Sequence, residues 1–142
     1  MGDIMFNCIV VAIDGSEPSH RALKAACQMA KAFSSEVHLV HALENKAVEA
    51  PVAGVAWTTS NSNGEKVLTD AVAEANDMGI TPSSTTTGEG DPFEEIMTIA
   101  QLYSADLIVT GRRGLGNISG LFAGSTSQQI AKHADCAFLS VK

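Results

Sequence analysis

The residues best equipped for chemistry lie in one stretch, Leu107 to Ile130, which reads LIVTGRRGLGNISGLFAGSTSQQI. Leu107 to Thr110 reads as a buried strand. Glycines follow at 111, 114, 116, 120 and 124, then the hydroxyl run Ser125-Thr126-Ser127, then a helical pattern. Strand, glycine-rich turn, hydroxyls and helix N-terminus form an order that suits an oxyanion. Glycine lets backbone N–H groups approach a phosphate with no Cβ in the way. A helix N-terminus adds unpaired N–H donors and a partial positive charge. Arg112 and Arg113 set fixed charge beside the loop. Each feature also has a plainer reading. Ser125, with Gln128 three residues on, forms a capping box for its own helix, and the two arginines read equally well as solvated loop charges. Five glycines between positions 111 and 124, flanked by arginines and hydroxyls, are more than a surface turn needs.

Two known phosphate loops do not fit. A Walker A loop requires Lys and Ser or Thr after its second glycine; Asn117 and Ile118 follow Gly116. The dinucleotide fingerprint Gly-x-Gly-x-x-Gly would begin at Gly114, but Ser119 takes its last place, and that fingerprint belongs after a first strand.

What the stretch does carry is Gly-x2-Gly-x9-Gly-Ser, at Gly111, Gly114, Gly124 and Ser125. This resembles the ATP-binding motif of the universal stress protein family. The likeness extends over nearly the whole chain, from the opening strand ending in Ala12-Ile13-Asp14-Gly15-Ser16 to the closing ADCAFLSV of residues 134–141. It implies a nucleotide site with Ala12, Asp14 and Ala42 at the ends of the first two strands, Ala42 (after His41) meeting adenine through its backbone. It places Gly111, Arg112, Arg113, Gly114, Gly116 and Asn117 on the phosphate side. Gly124, Ser125, Thr126 and Ser127 complete the site at the helix start. The implied cofactor is ATP, with Mg or Mn as a possible companion. Asp14 then meets either ribose or the metal, because a carboxylate set directly against a triphosphate is repelled; without a ligand, the same residue reads as a cap or turn former. One departure is Ala137, where the family often has Pro after the Cys; it touches strand entry rather than the site.

The elements that must position these residues can be read in order. Met5 to Ile13 is an apolar run with Ile9, Val10 and Val11 together, the mark of a strand buried on both faces. Ser19 to Phe33 is alanine-rich, with Leu23, Ala26, Cys27, Ala30 and Phe33 along one face, a helix. Glu36 to Leu43 is a second strand. Glu44 to Asn61 has no clear period and reads as a long loop. Ser62 and Glu65 form a capping box for a helix to Met78, closed by Gly79. Thr81 to Thr87 is a more polar third strand. Asp91-Pro92-Phe93-Glu94 starts a helix with the stripe Phe93, Ile96, Met97, Ala100. The strand at Leu107, the helix to about His133 and the strand Cys136 to Val141 close the chain. This alternation predicts a single-domain α/β fold over residues 1–142, an open five-stranded parallel sheet with helices on both faces. The resemblance implies a Rossmann-like strand order of 3-2-1-4-5, with Asp14 and Gly111 across one crevice.

Composition narrows the function classes. The 142 residues suffice for one domain with a real core, and 45% are apolar. No apolar run approaches membrane-spanning length, and no basic stretch followed by an apolar one marks a signal peptide. Cys8, Cys27 and Cys136 form no Cys-x-x-Cys pair and read as core thiols of a cytoplasmic protein. The net charge of −7 argues against nucleic acid. Residues 1–106 hold fifteen of the sixteen acidic side chains, so 107–142 carry four Lys/Arg against one Asp. His20, His38, His41 and His133 have no ligand spacing; His38 and His41 fall on opposite faces of their strand. A receiver domain would want an aspartate where Thr87-Gly88-Glu89 ends strand three. The reading is a cytoplasmic ATP-binding stress protein, a nucleotide-dependent switch with slow hydrolysis at most, since no Walker lysine and no evident base are present. The alternative is a homodimeric interaction protein that holds no nucleotide. In either case Cys136 to Val141, an apolar edge strand with only Lys142 after it, is expected to pair two copies.

Overall fold

The apolar runs become strands and the amphipathic stretches become the helices between them. The computed structural model describes residues 5–42, 55–112 and 124–142, the side chains of 55–63 and 124–125 excepted. In chain order the elements are β1 (Cys8–Ala12), α1 (Glu17–Phe33), β2 (Glu36–Ala42), α2 (Val55–Asp77), β3 (Ser84–Gly88), α3 (Pro92–Leu102), β4 (Leu107–Gly111), α4 (Gly124–His133) and β5 (Ala137–Val141). The five strands pair in parallel in the order β3-β2-β1-β4-β5, as expected.

Alternation along β1 explains why its sequence is apolar throughout. Ile9, Val11 and Ile13 pack into a layer with Leu23, Ala26 and Cys27 of α1 and Leu68, Ala71 and Ala75 of α2. Val10 and Ala12 face the other layer, with Ile96 and Ile99 of α3 and Ile130 of α4. A strand covered on both faces reads as a near-continuous apolar run. The edge strand β3 alternates instead, Thr85 and Thr87 exposed between half-buried Ser84 and Thr86 and buried Gly88.

One side chain sets the entry of the two central strands. Asp106 Oδ2 accepts the backbone N–H groups of Asn7 at 2.8 Å and Cys8 at 3.1 Å, while its own N–H donates to the Cys8 carbonyl at 2.9 Å. This clamp holds β1 against β4 in the register Ile9↔Leu107, Val10↔Ile108, Val11↔Val109.

The helix starts are chemical. Asp91 caps α3 by accepting the Glu94 N–H, with Pro92 in the first turn. For α1 the cap is Ser16, whose hydroxyl accepts the Ser19 N–H at 3.3 Å. Asp14, a cap candidate from sequence, stands one step back and holds the cap. The largest correction concerns α2. It begins at Val55, so Ser62 and Glu65 lie inside a continuous helix and their box does not start it. Of the expected loop 44–61, residues 55–61 are helical, and 44–54 lie outside the described residues. Valine, threonine and asparagine are weak helix formers, and a run without period gave no helical signal. Phe33, placed on the buried face of α1, is 38% exposed and packs edge-on against Phe6 at 5.6 Å.

His38 and His41 do face opposite sides of β2. His38 is buried, stacks on Tyr103 with ring centroids 3.8 Å apart, and has Nδ1 2.7 Å from the Ser84 hydroxyl. Burial holds its pKa below the ordinary histidine value, Glu36 opposing only in part. The folded ring therefore stays neutral where the unfolded one begins to take a proton. Stability on this account is flat above about pH 7 and falls as pH drops through about 6.5, the unfolded value. Thermal melts from pH 8 to 5 on wild type and His38→Gln should show the gap between the two proteins shrinking toward the acid end; a constant gap would contradict the neutral ring.

Candidate functional site

The sheet order reverses between β1 and β4. From β1 the chain turns toward the layer of α1 and α2, and from β4 toward that of α4. The helices that follow these two strands thus pack on opposite faces of the sheet, and open α/β sheets take ligands outside the carboxyl ends of the strands at such a reversal. Register says which residues stand there. Ala12 pairs with Val40, so Asp14, two residues on, stands level with Ala42. Val11 pairs with Val109, so Gly111 stands level with Ile13. Ala12, Asp14, Ala42 and Gly111, drawn from three strands, are thus brought to one end of the sheet.

Asp14 is oriented, not loose. Its Oδ1 accepts the Ser16 backbone N–H at 2.9 Å and the Ser16 hydroxyl at 2.5 Å, and its own N–H donates to Ser19 Oγ at 3.1 Å. Gly15, at φ +83°, makes the turn that allows this. A second strut comes from His41, which sequence reading treated only as the neighbour of Ala42. His41 is buried, and its Nδ1 lies 2.6 Å from the carbonyl oxygen of Ile13. A carbonyl only accepts, so Nδ1 carries the proton. With the Ile13 N–H donating to the Val40 carbonyl at 2.7 Å, this bond fixes the end of β2 to the residue before Asp14. The signal available in sequence was a histidine on a strand end with no exposed role.

Gly111 has a role beyond approach to a ligand. A Cβ there would sit 2.4 Å from the Pro18 carbonyl carbon and 2.5 Å from the Ser19 nitrogen. Both are backbone atoms of the first turn of α1, so nothing flexible can yield. The missing side chain lets β4 end directly under the helix whose start carries Asp14 and Ser16. Arg112 continues the pairing, its N–H donating to the Val141 carbonyl at 2.6 Å, with its side chain exposed.

Opposite stands the start of α4. The helix runs from Gly124, so Ser125 lies within its first turn rather than ahead of it. The amides of that turn have no partner four residues earlier within the helix. Thr126 and Ser127 are both buried, at 6% and 8% exposure. Lys132 and His133 in the last turn complement the helix dipole. Arg113, Gly114, Gly116 and Asn117 lie outside the described residues, as do the side chains of Gly124 and Ser125.

The thiols take no part. Burial first, then Glu36 and Asp106, pushes Cys8 up to about 11; burial and Glu74 do the same to Cys27; burial also raises Cys136. All three are free and stay protonated near neutrality. Among the described residues no group of three His, Cys, Asp or Glu could hold a metal ion. Nor is any helix among them long and apolar enough to cross a membrane.

Residues 5–142 match the universal stress protein family. A universal stress protein of Thermus aquaticus is 35% identical over 140 residues, covering 97% of this chain and all of the relative. The chain belongs to the universal stress protein family. Universal stress protein YxiE of Bacillus subtilis is 30% identical over 149 residues, covering 97% of this chain and all of that one. Among solved structures, a universal stress protein in complex with cAMP is 26% identical with a TM-score of 0.74, covering 97% of this chain and 98% of its own. A family structure from Archaeoglobus fulgidus in complex with dAMP, 21% identical with a TM-score of 0.71 and covering 99% and 100%, shares the fold.

The contact at Gly111 is open to a direct test. Gly111→Ala should destabilise the protein by about 3 kcal/mol, the upper part of the range for overpacking, because backbone meets backbone. Urea unfolding of the two proteins measures it; a loss below about 1 kcal/mol, the lower end of that range, would mean that α1 and β4 are less tightly joined.

Proposed function

We propose that this chain binds ATP in the crevice between β1 and β4 and acts as a nucleotide-dependent switch in a stress response, with slow hydrolysis at most. The observation that carries the reading is a fixed carboxylate, Asp14, at the turn into α1 against which the carboxyl end of β4 abuts; the helix after β4, α4, begins in Gly124-Ser125-Thr126-Ser127. The relative solved with cAMP supports an adenine nucleotide as the ligand class.

The roles follow from the groups present. Ala42, buried at the end of β2, offers only backbone groups, which suits the edge of a base. Asp14, oriented by Ser16, serves ribose hydroxyls or a Mg or Mn ion. Since no described cluster binds a metal alone, such an ion would need phosphate oxygens among its ligands. The amides at the start of α4 and the hydroxyls of Ser125 and Thr126, with Arg112, Arg113 and the glycines at 114 and 116, suit the phosphates; Ser127 Oγ, expected on the same side, is closed to solvent. Asn117 belongs to the same side. Slow turnover is expected because the matched residues include no lysine of the Walker type and no general base. Free, protonated thiols suit a cytoplasmic protein.

We also propose a homodimer through Cys136–Val141. β5 is the last strand of the sheet, and Phe138, Leu139 and Val141 are only partly buried against the two core layers. A half-covered apolar edge favours pairing with a second copy.

Isothermal titration with ATP should give one site per chain, and Gly124→Val should weaken it at least about tenfold, since a branched side chain meets the phosphate where the backbone approaches. A wild type that gives no heat and does not compete for ATP would remove this reading and favour a dimer that holds no nucleotide. Sedimentation at micromolar concentration as two chains supports the β5 pairing; a single-chain species removes it.

A further inference from the structure

Beneath the first turn of α4 the sheet carries hydroxyls that the nucleotide reading does not use. Thr110 is fully buried, yet its Oγ1 has no hydrogen-bond partner among the described residues; the same holds for Ser127 Oγ and Ser140 Oγ. Three independent placements bring them together. Thr110 and Ser140 are direct partners in the β4–β5 register, so they project from the same face of adjacent strands. That face is the α4 side, because Ile108 and Phe138, two residues earlier on each strand, both pack in the layer that contains Ile130. Ser127 lies three residues before Ile130, on the same face of α4 and one turn nearer the carboxyl ends of the strands. Thr110 is displaced from Ile108 in that same direction. The three hydroxyls therefore meet at one level, between the helix start and the sheet.

A buried hydroxyl with no partner costs roughly 1–3 kcal/mol, so three in one layer require an occupant. The layer consists of neutral hydroxyls under a helix N-terminus, whose partial positive charge disfavours a cation. Each oxygen is closed to solvent, which leaves no path for a phosphate. A single water would serve all three: buried waters make about three hydrogen bonds to groups otherwise unsatisfied.

We propose that Thr110, Ser127 and Ser140 hold one ordered water that seats the first turn of α4 on β4 and β5, and that Thr110 is thereby a positioning residue for the anion site. The affinity part of the proposal rests on the nucleotide reading above. The turn seated by this water carries Gly124, Ser125 and Thr126, so the layer sets where its free amides point. Thr110 touches no ligand itself; it acts through the helix.

Two measurements test this on the full chain. A crystal structure of the wild type at about 1.5 Å should show one water within hydrogen-bond distance of all three oxygens. Hydroxyls bonded to one another or to backbone with no water between them, or a nucleotide oxygen in the layer, would overturn the proposal. ATP titration of Thr110→Val and Thr110→Ser is the second. The valine variant keeps the shape and loses the hydroxyl, so affinity should drop about tenfold, while serine restores it to within about twofold. Equal affinity in all three proteins would overturn the positioning role, and so would a loss that serine fails to restore. If the wild type binds no adenine nucleotide, the functional reading fails and takes the affinity arm with it; the water, read in the crystal, then decides the layer alone.

Discussion

Ile9, Val10 and Val11 pair in parallel with Leu107, Ile108 and Val109, two segments nearly a hundred residues apart in the chain. Closing that distance is entropically costly, and the structure offsets it with a dedicated contact, the Asp106 carboxylate across the entry of both strands. Everything at the far end of the sheet inherits this register. A shift by one residue would send every side chain of β4 to the wrong layer, put Val109 in the place of Thr110, and move Gly111 away from Pro18. The sheet order reverses at these two strands, and the helices that follow them, α1 and α4, pack on opposite faces.

The site is then built from backbone more than from side chains. Asp14 is held by the turn into α1, Ile13 by His41, and the end of β4 by its abutment on the first turn of α1. Gly111 joins two requirements that are usually separate. The same absent Cβ that suits close approach to a ligand also suits close approach to a helix. A ligand-binding motif can therefore be fixed in part by packing, and loss of binding on substitution at such a glycine would not by itself identify a contact with the ligand.

Much of this was legible in the sequence, for identifiable reasons. β1 is apolar on both faces, and only a doubly covered parallel strand explains that. The cap at Asp91 and the periodic stripe of α3 are local signals, and local signals read well. The strand order was not in the periodicity; it came with the resemblance to the family. What was misread depends on context. A Ser-x-x-Glu pair says helix start only where no helix already runs, and the start of α2 at Val55 carries no period to announce one. The choice between Asp14 and Ser16 as cap turns on a shift of two residues that both chemistries permit. His41 gave only a weak signal, a histidine at a strand end, because its bond to a carbonyl cannot be read from sequence. The layer of Thr110, Ser127 and Ser140 needs a register and a helix phase together, and sequence supplies neither.

On the function proposed above, adenine nucleotide binds at the carboxyl ends of β1 and β4 and the start of α4. Backbone hydrogen exchange with and without saturating ATP tests it most directly. The account predicts slower exchange, by about tenfold or more, for amides in the turn from Asp14 to Ser19 and in Gly124 to Ser127, with β3 unchanged, since ligand that binds only the ordered form suppresses local opening. Unchanged protection in both segments under conditions where ATP is bound would contradict it.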